Sequence, residues 1–260
     1  MEKYTLITGA SSGIGLELAK IFAKNKHNLV LIARSYDKLQ RIKDDLEKKY
    51  NIKVIIIKKD LSNPNSPKEL YNEIKQKNIF INILVNNAGY ATFGKFYDLD
   101  IEKELNMIQL NVVTLVHLTK LFLDDMIKYN EGKILNVAST AAFQPGPLMA
   151  NYYASKAYVL NFSEALNEEL KDKNISVSAL CPGATSTGFV KRANMEKSKL
   201  FQALKPMRPQ KVAEIAYNGL MNKKQVIIPG FRNKFLAFSI RFTPRKIVPK
   251  MVMNLQKEMN

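Results

Sequence analysis

The stretch Tyr4–Gly15, "YTLITGASSGIG", joins a short apolar run to a loop punctuated by Gly9, Gly13 and Gly15, and an amphipathic segment follows. A run of this kind, with no alternation of polar and apolar positions, reads as a strand buried on both faces, which is how strands of a covered parallel sheet read. Glycines at the turn let the backbone bend tightly and approach a pyrophosphate, whose charge is then met by the free N–H groups and dipole of the next helix. The spacing is Gly-x-x-x-Gly-x-Gly rather than Gly-x-Gly-x-x-Gly. Small residues needed for packing at a helix start are the competing explanation, and the position directly after the first strand favours the ligand.

Outward from this unit the same alternation repeats. Runs "NLVLIA" (28–33), "KVIIIK" (53–58), "NILVN" (82–86), "KILNVA" (133–138), "SVSAL" (176–180) and "QVIIP" (225–229) read as further strands. Apolar spacing and starts such as Ser66-Pro67 and Pro209 predict helices over 13–25, 36–50, 64–77, 100–129, 150–172, 188–203 and 209–222. Strands separated by helix-length segments imply right-handed crossovers. The expected fold is a doubly wound, Rossmann-type α/β sheet of about seven mostly parallel strands with helices on both faces, in a single domain over residues 1–260.

Composition narrows the function. Hydrophobic residues make up 46% and charged residues 24%, an ordinary globular balance. The start "MEKYTLITGA" enters structure at once and reads as no export signal. Apolar runs such as "FINILV" (80–85) fall short of the roughly 20 residues that span a bilayer, so no transmembrane segment is expected. Cys181 is the only cysteine, which excludes an intrachain disulfide and a site of several thiolates, and fits a reducing cytoplasm. The 40 Lys and Arg against 23 Asp and Glu give a formal charge of +17 and suit an anionic partner. The lysines are scattered, however, with no compact basic patch interleaved with aromatics, so nucleic acid is not expected. His27 and His117 have no Cys/His cluster around them, and no metal is expected.

About 20 residues past the glycine loop, a strand end that binds NAD(H) would offer an acid to the adenosine ribose. Here Ala33 cannot accept that hydrogen bond, whereas Arg34 offers a planar cationic fork to a 2′-phosphate, Ser35 a hydroxyl beside it, and Lys38 stands one turn on. This favours NADP(H) over NAD(H). The alternative makes Arg34 a polar residue at a strand end, with Asp37 turned inward.

In "NYYASKAY" (151–158), Tyr152 and Lys156 stand at i and i+4, so a helix brings them out on one face. An ammonium near a phenol favours phenolate and brings the tyrosine within reach of proton exchange at neutral pH. An ordinary half-exposed helix carries such pairs too, and Tyr153 with Lys156 at i+3 would serve it equally. With "TGASSGIG" after the first strand, "NNAG" (86–89) after the fourth, "NVAST" (136–140) after the fifth, "YYASK" (152–156), and "CPG" (181–183) after the sixth, the chain resembles the short-chain dehydrogenase/reductase family from Lys3 to about Ile228.

That resemblance implies a carbonyl–alcohol oxidoreductase with named roles. Ser139, thirteen residues before Tyr152, would hold the substrate oxygen, and Tyr152 would be the proton donor. Lys156 would bind the nicotinamide ribose and lower the Tyr152 pKa, and Asn111 in "QLNVV" would support a proton-relay water. Gly9, Ser11, Ser12, Gly13, Ile14 and Gly15 would line the pyrophosphate turn. Asp60 would meet adenine, with a capping role beside Ser62 and Asn63 as its rival, and Asn87, Ala88 and Gly89 would flank the adenosine. Thr185 and Thr187, after Pro182 and Gly183, would lie near the carboxamide. NADP-preferring relatives often carry a basic residue in the glycine loop where this chain has serine, so Arg34 bears the coenzyme expectation almost alone. A homodimer or homotetramer is also implied.

Substrate choice would lie in the loops 90–96, 141–147 and 183–201, where Phe93, Phe143, Met149 and Phe189 suggest an apolar pocket and 183–203 a lid; loop aromatics also serve plain packing. The extension 230–260 mixes Phe, Leu, Ile and Met with Lys and Arg and is broken by Pro244 and Pro249. It could lie weakly on an anionic membrane surface through 233–260, or pack against the body or a second subunit, covering the pocket; the prolines, which shorten any amphipathic helix, favour packing.

Overall fold

In the computed structural model, which describes residues 1–189 and 206–256, each apolar run becomes a strand. They are β1 (Lys3–Thr8), β2 (Asn28–Ala33), β3 (Val54–Lys58), β4 (Phe80–Asn86), β5 (Gly132–Val137), β6 (Ile175–Leu180) and β7 (Val226–Ile227). All neighbours pair in parallel, in the order β3-β2-β1-β4-β5-β6-β7. The order in which successive strands are added reverses between β1 and β4, which is where such sheets open a crevice at the carboxyl ends of their strands.

Successive residues of a strand point to opposite faces, so these apolar runs feed two cores at once. On one face Ile7, Leu31, Val85 and Leu135 pack against helices α1 (Gly13–Lys24), α2 (Tyr36–Tyr50) and a later helix, Pro209–Met221, through Phe22, Leu39 and Ala216. On the other, Leu6, Ile32, Leu84 and Ile134 meet α3 (Ser66–Gln76) and the helical stretch 101–129 through Leu70, Ile74, Phe122 and Met126. Local chemistry sets the helix ends. Proline stands in the first turn of Ser66–Gln76 and of Pro209–Met221. The Asp100 side chain accepts from Glu102 N, and Asn51 and Asn130 close helices in the left-handed conformation.

The helix expected over 100–129 is divided. α4 (Ile101–Ile108) passes through a π turn, Gln109–Thr114, into α5 (Leu115–Tyr129). The whole stretch is 29 residues with a window of mean hydropathy 1.2, long and apolar enough to cross a membrane by length and composition, although polar residues interrupt its apolar runs. Here Leu118, Phe122 and Met126 seat it on the sheet. After α6 (Ala150–Glu169), the helix expected over 188–203 and most of the lid 183–203 lie outside the described residues. The chain continues with α7 (Pro209–Met221), a short β7 that stops before Pro229, α8 (Phe231–Ser239) and α9 (Val248–Gln256). The last two helices fold back over the carboxyl ends of the strands, where Val248 and Val252 join Met149, Tyr152 and Tyr153 in one buried cluster.

Candidate active site

At the end of β1, Gly9 and Gly13 take φ of +66° and +59°, which side chains disfavour. A Cβ on Gly9 would also stand 2.9 Å from Asn87 Nδ2. The loop is fixed by polar contacts to the end of β4. Asn87 Nδ2 donates to Thr8 O at 2.9 Å, and the Thr8 hydroxyl accepts from the backbone N–H groups of Asn87 and Ala88, each at 2.9 Å. Ser12 caps α1 without using its side chain, and no acid stands in the first turn of that helix. The helix start therefore presents N–H groups and a positive dipole end to an anion.

Arg34, Ser35 and Lys38, after β2, border the same cavity. Arg34 Nη1 lies 3.8 Å from Asp60 Oδ2, both side chains being more than half exposed. Asp60 also accepts from Ser62 N at 3.0 Å and Ser62 Oγ at 2.8 Å. Burial pushes its carboxyl up, but the Ser62 hydrogen bonds and Arg34 outweigh it and hold the carboxyl below its ordinary value. The turn with Ser62 thus occupies one carboxylate oxygen, while Asn65, not Asp60, caps α3.

The reactive side chains come from three elements. Ser139 follows β5 and starts a tight turn, its Oγ accepting from Ala141 N at 3.1 Å. Tyr152 is in the first turn of α6, and Lys156 follows one turn later with Nζ donating to Val137 O at 2.7 Å. Nζ lies 5.8 Å from the centre of the Tyr152 ring. The expected lowering of the Tyr152 pKa by Lys156 is not what this geometry gives. Burial pushes the phenol up, with a Ser139 hydrogen bond opposing and Tyr153 reinforcing the shift. The physical reason is that the ammonium faces a carbonyl rather than the phenol oxygen, and burial pushes the amine itself down to about 8.

Asn111 sits in the π turn and is 1% exposed. Its Nδ2 donates to Tyr90 O at 3.0 Å and to Ser155 Oγ at 3.3 Å, and its Oδ1 accepts from Tyr90 N at 3.2 Å. A π turn inserts an extra residue into the helix, and such turns recur at functional sites. Here it aims an amide at the loop after β4. Gly89 makes room for this: a Cβ there would stand 2.8 Å from Asn111 Oδ1 and 3.6 Å from Lys156 Nζ.

Apart from Asn111, which does not line it, these groups share one cavity of about 930 Å³. Gly9, Ser11, Ser12, Gly13 and Ile14 line it at the glycine loop, Asn87, Ala88 and Gly89 after β4, and Pro182, Gly183, Thr185 and Thr187 after β6. Gly15 does not line it and instead packs beneath the loop, where a Cβ would stand 2.4 Å from Gly9 O. Phe143, Met149 and Phe189 form an apolar wall, with the Phe189 ring 5.5 Å from that of Tyr152. Phe93 does not line the cavity; it packs behind the wall, against the cluster of Met107, Met149 and Tyr153.

Two features escaped the sequence. Thr8 links the two strand ends beneath the loop, and only a hydroxyl closing an apolar run hinted at it. Glu104, 2% exposed, accepts from Thr92 Oγ1 and, at 2.7 Å, from Asn151 Nδ2, tying the loop after β4 to the first turn of α6. The C-terminal helices supply the far wall through Leu236, Ile240, Met251 and Leu255, and Gln256 Nε2 donates to Tyr153 Oη at 2.6 Å. His27 packs among Phe22 and Tyr217, where burial pushes its imidazole down.

Comparison with known proteins gives a consistent picture. The family model described as short chain dehydrogenase matches residues 3–198. The chain is 36% identical over 203 residues to mouse (Mus musculus) 17-beta-hydroxysteroid dehydrogenase type 3, covering 76% of this chain but only 65% of that protein's length, just under two thirds. It is 33% identical over 232 residues to the NADP-dependent 3-hydroxy acid dehydrogenase of Schizosaccharomyces pombe, covering 87% of this chain and 90% of the relative. A solved short-chain dehydrogenase from Sphingobium yanoikuyae in complex with NADPH superposes with a TM-score of 0.83 at 29% identity, covering 100% of this chain and 98% of that one.

Proposed function

The chain belongs to the short-chain dehydrogenase family, and from that premise we propose that it is an oxidoreductase that interconverts a carbonyl and an alcohol with NADP(H), working to reduce an apolar ketone, aldehyde or acyl-chain substrate. The observation that carries this reading is that Ser139, Tyr152 and Lys156 border one cavity with an open helix start and Arg34 on one side and an apolar wall on the other. The group fits the residues. Positive-φ glycines and the uncapped start of α1 suit a pyrophosphate, and Arg34, Ser35 and Lys38 suit a 2′-phosphate, in keeping with the coenzyme named for the S. pombe and Sphingobium relatives. When bound, NADP(H) supplies the hydride.

The chain's own residues position the substrate and move a proton. Ser139 Oγ holds the carbonyl oxygen, and Tyr152 Oη gives that oxygen its proton as the alcohol forms. Lys156, with its amine at about 8, is mostly protonated at neutral pH and keeps a cation over the Tyr152 ring. Asn111 fixes the backbone of Tyr90 against α6 and so holds the wall opposite. An apolar substrate suits Phe143, Met149 and Phe189, and fits the steroid in the mouse relative's name. A cytoplasmic location and a homodimer or homotetramer complete the proposal.

Consumption of NADPH, and of NADH at matched concentration, against ketones, aldehydes, acyl thioesters and steroids tests this, with Tyr152→Phe alongside. The expected result is NADPH turnover that falls about 10²- to 10⁴-fold in Tyr152→Phe. Equal turnover in the variant would remove Tyr152 as the donor, and cofactor binding without turnover on any substrate would make the chain a non-catalytic binder.

A further inference from the structure

We infer that the C-terminal cap is a docking surface for an anionic lipid bilayer, and that the mouth of the cavity opens toward that bilayer. Phe231, Phe235, Phe238 and Phe242 recur at helical spacing along α8 and the turn after it, and are 84%, 61%, 58% and 74% exposed. The opposite side of the same helix, with Asn233, Leu236, Ala237 and Ile240, lines the cavity. α8 is therefore apolar on both sides, while only one side is covered by protein. Isolated exposed apolar residues are unremarkable, but a contiguous aromatic stripe marks a surface that something covers.

The charge around the stripe identifies the partner's chemistry. No acidic residue stands between Glu214 and Glu258, whereas Arg232, Lys234 and Arg241 lie among the phenylalanines and Arg245, Lys246 and Lys250 follow them. A second copy of a chain with a formal charge of +17 would bring like charges together across this patch. An anionic bilayer answers both features, because its acyl boundary takes the rings and its headgroups take the cations. Pro244 and Pro249 shorten the helices but leave the stripe intact, so packing over the cavity and docking outward are compatible roles of the same segment.

The rim gives the surface a use. Leu236, Met251 and Leu255 line the cavity and are about half exposed, so the apolar wall continues out to the docking face. Docking stands on the surface alone; the passage of an apolar substrate along this rim rests on the activity proposed above.

The full chain is to be tested by flotation with phosphatidylcholine vesicles containing one third phosphatidylglycerol, and with pure phosphatidylcholine vesicles. Binding is expected to the anionic vesicles, about tenfold or more weaker to neutral ones, and weakened by salt. Phe235→Ser/Phe238→Ser/Phe242→Ser should lose about tenfold or more in vesicle affinity while keeping turnover of a water-soluble ketone, since none of the three lines the cavity. Arg241→Glu/Arg245→Glu should do the same, and serves as the second variant if the first fails to fold. A wild type that leaves anionic vesicles unbound at low salt overturns the inference. So does a serine variant that binds as wild type does, or one that only shifts the solution mass toward monomer, which would assign the patch to a second copy. Vesicle binding without ketone turnover would sink the proposed activity and leave the docking surface standing.

Discussion

Replacing Lys156 with Met should make the protein more stable near neutral pH, and the gain should shrink as the pH rises. The side chain is nearly buried, and burial pushes its amine from 10.5 down to about 8. Below about pH 8 the folded and unfolded chains both carry the charge, and the folded chain bears the whole desolvation penalty of about 3 kcal/mol, at 1.36 kcal/mol per pKa unit. Between about 8 and 10.5 the unfolded chain binds more protons than the folded one, so stability rises with pH across that window. Met keeps most of the stem's packing. It leaves Val137 O without this donor, which takes back about 1 kcal/mol. The net expectation is a variant about 2 kcal/mol more stable at pH 7 and nearly equal to wild type at about pH 9.5. Urea unfolding of both proteins at the two pH values measures it. Comparing the pair cancels Tyr4, which burial pushes up to about 12 and whose contribution falls as pH climbs. A difference between variant and wild type that stays flat from neutral to alkaline pH would refute the desolvated amine.

Arg34→Ala should raise the KM for NADPH by roughly 10- to 100-fold, the worth of one or two charged hydrogen bonds, while the KM for NADH changes little. Equal losses with both coenzymes would move the 2′-phosphate contact elsewhere. Gly89→Ala places a Cβ 2.8 Å from Asn111 Oδ1 and should lower stability by about 1–3 kcal/mol as well as kcat, read by urea unfolding and steady-state kinetics. Unchanged values would show that Asn111 can yield. Gly183→Ala puts a Cβ within 2.6 Å of the Asn233 side chain and should push α8 outward, so that KM rises for bulky apolar substrates more than for small ketones. A uniform change across substrates would mean that the cap does not shape that end of the cavity.

The sheet was legible because a strand buried on both faces leaves the sequence little choice. "NLVLIA" became β2 over the same residues, and the run from 82 gained only Phe80 and Ile81 as β4. The π turn was not legible. Asn111 falls inside the one helix expected over 100–129, and the extra residue takes its meaning from the backbone of Tyr90, a contact that no local pattern records. In the site, the i, i+4 spacing brought Tyr152 and Lys156 together, but the carbonyl that Lys156 faces depends on how β5 ends beside α6. Phe93 failed as a cavity residue because a loop aromatic next to two buried methionines finds more contact behind the wall than in it. The tail's composition announced apolar surface without saying which side of α8 the body would cover.

What holds the reactive side chains is mostly backbone, and this follows from where the site is. The carboxyl ends of parallel strands leave carbonyls with no further strand residue to pair with. Val137 O takes Lys156, Thr8 O takes Asn87 and Tyr90 O takes Asn111. A carboxylate facing Lys156 would have raised its pKa and locked the proton in place. Among the described residues burial lowers the amine, only Cys181 is found to act on it in the other direction, and a neutral carbonyl supplies its hydrogen bond. The ammonium is therefore kept close to its titration point, at the expense of stability, beside a phenol that burial keeps protonated. A phenol that burial keeps protonated, held beside Ser139, suits an oxygen that must receive one proton as a carbonyl becomes an alcohol.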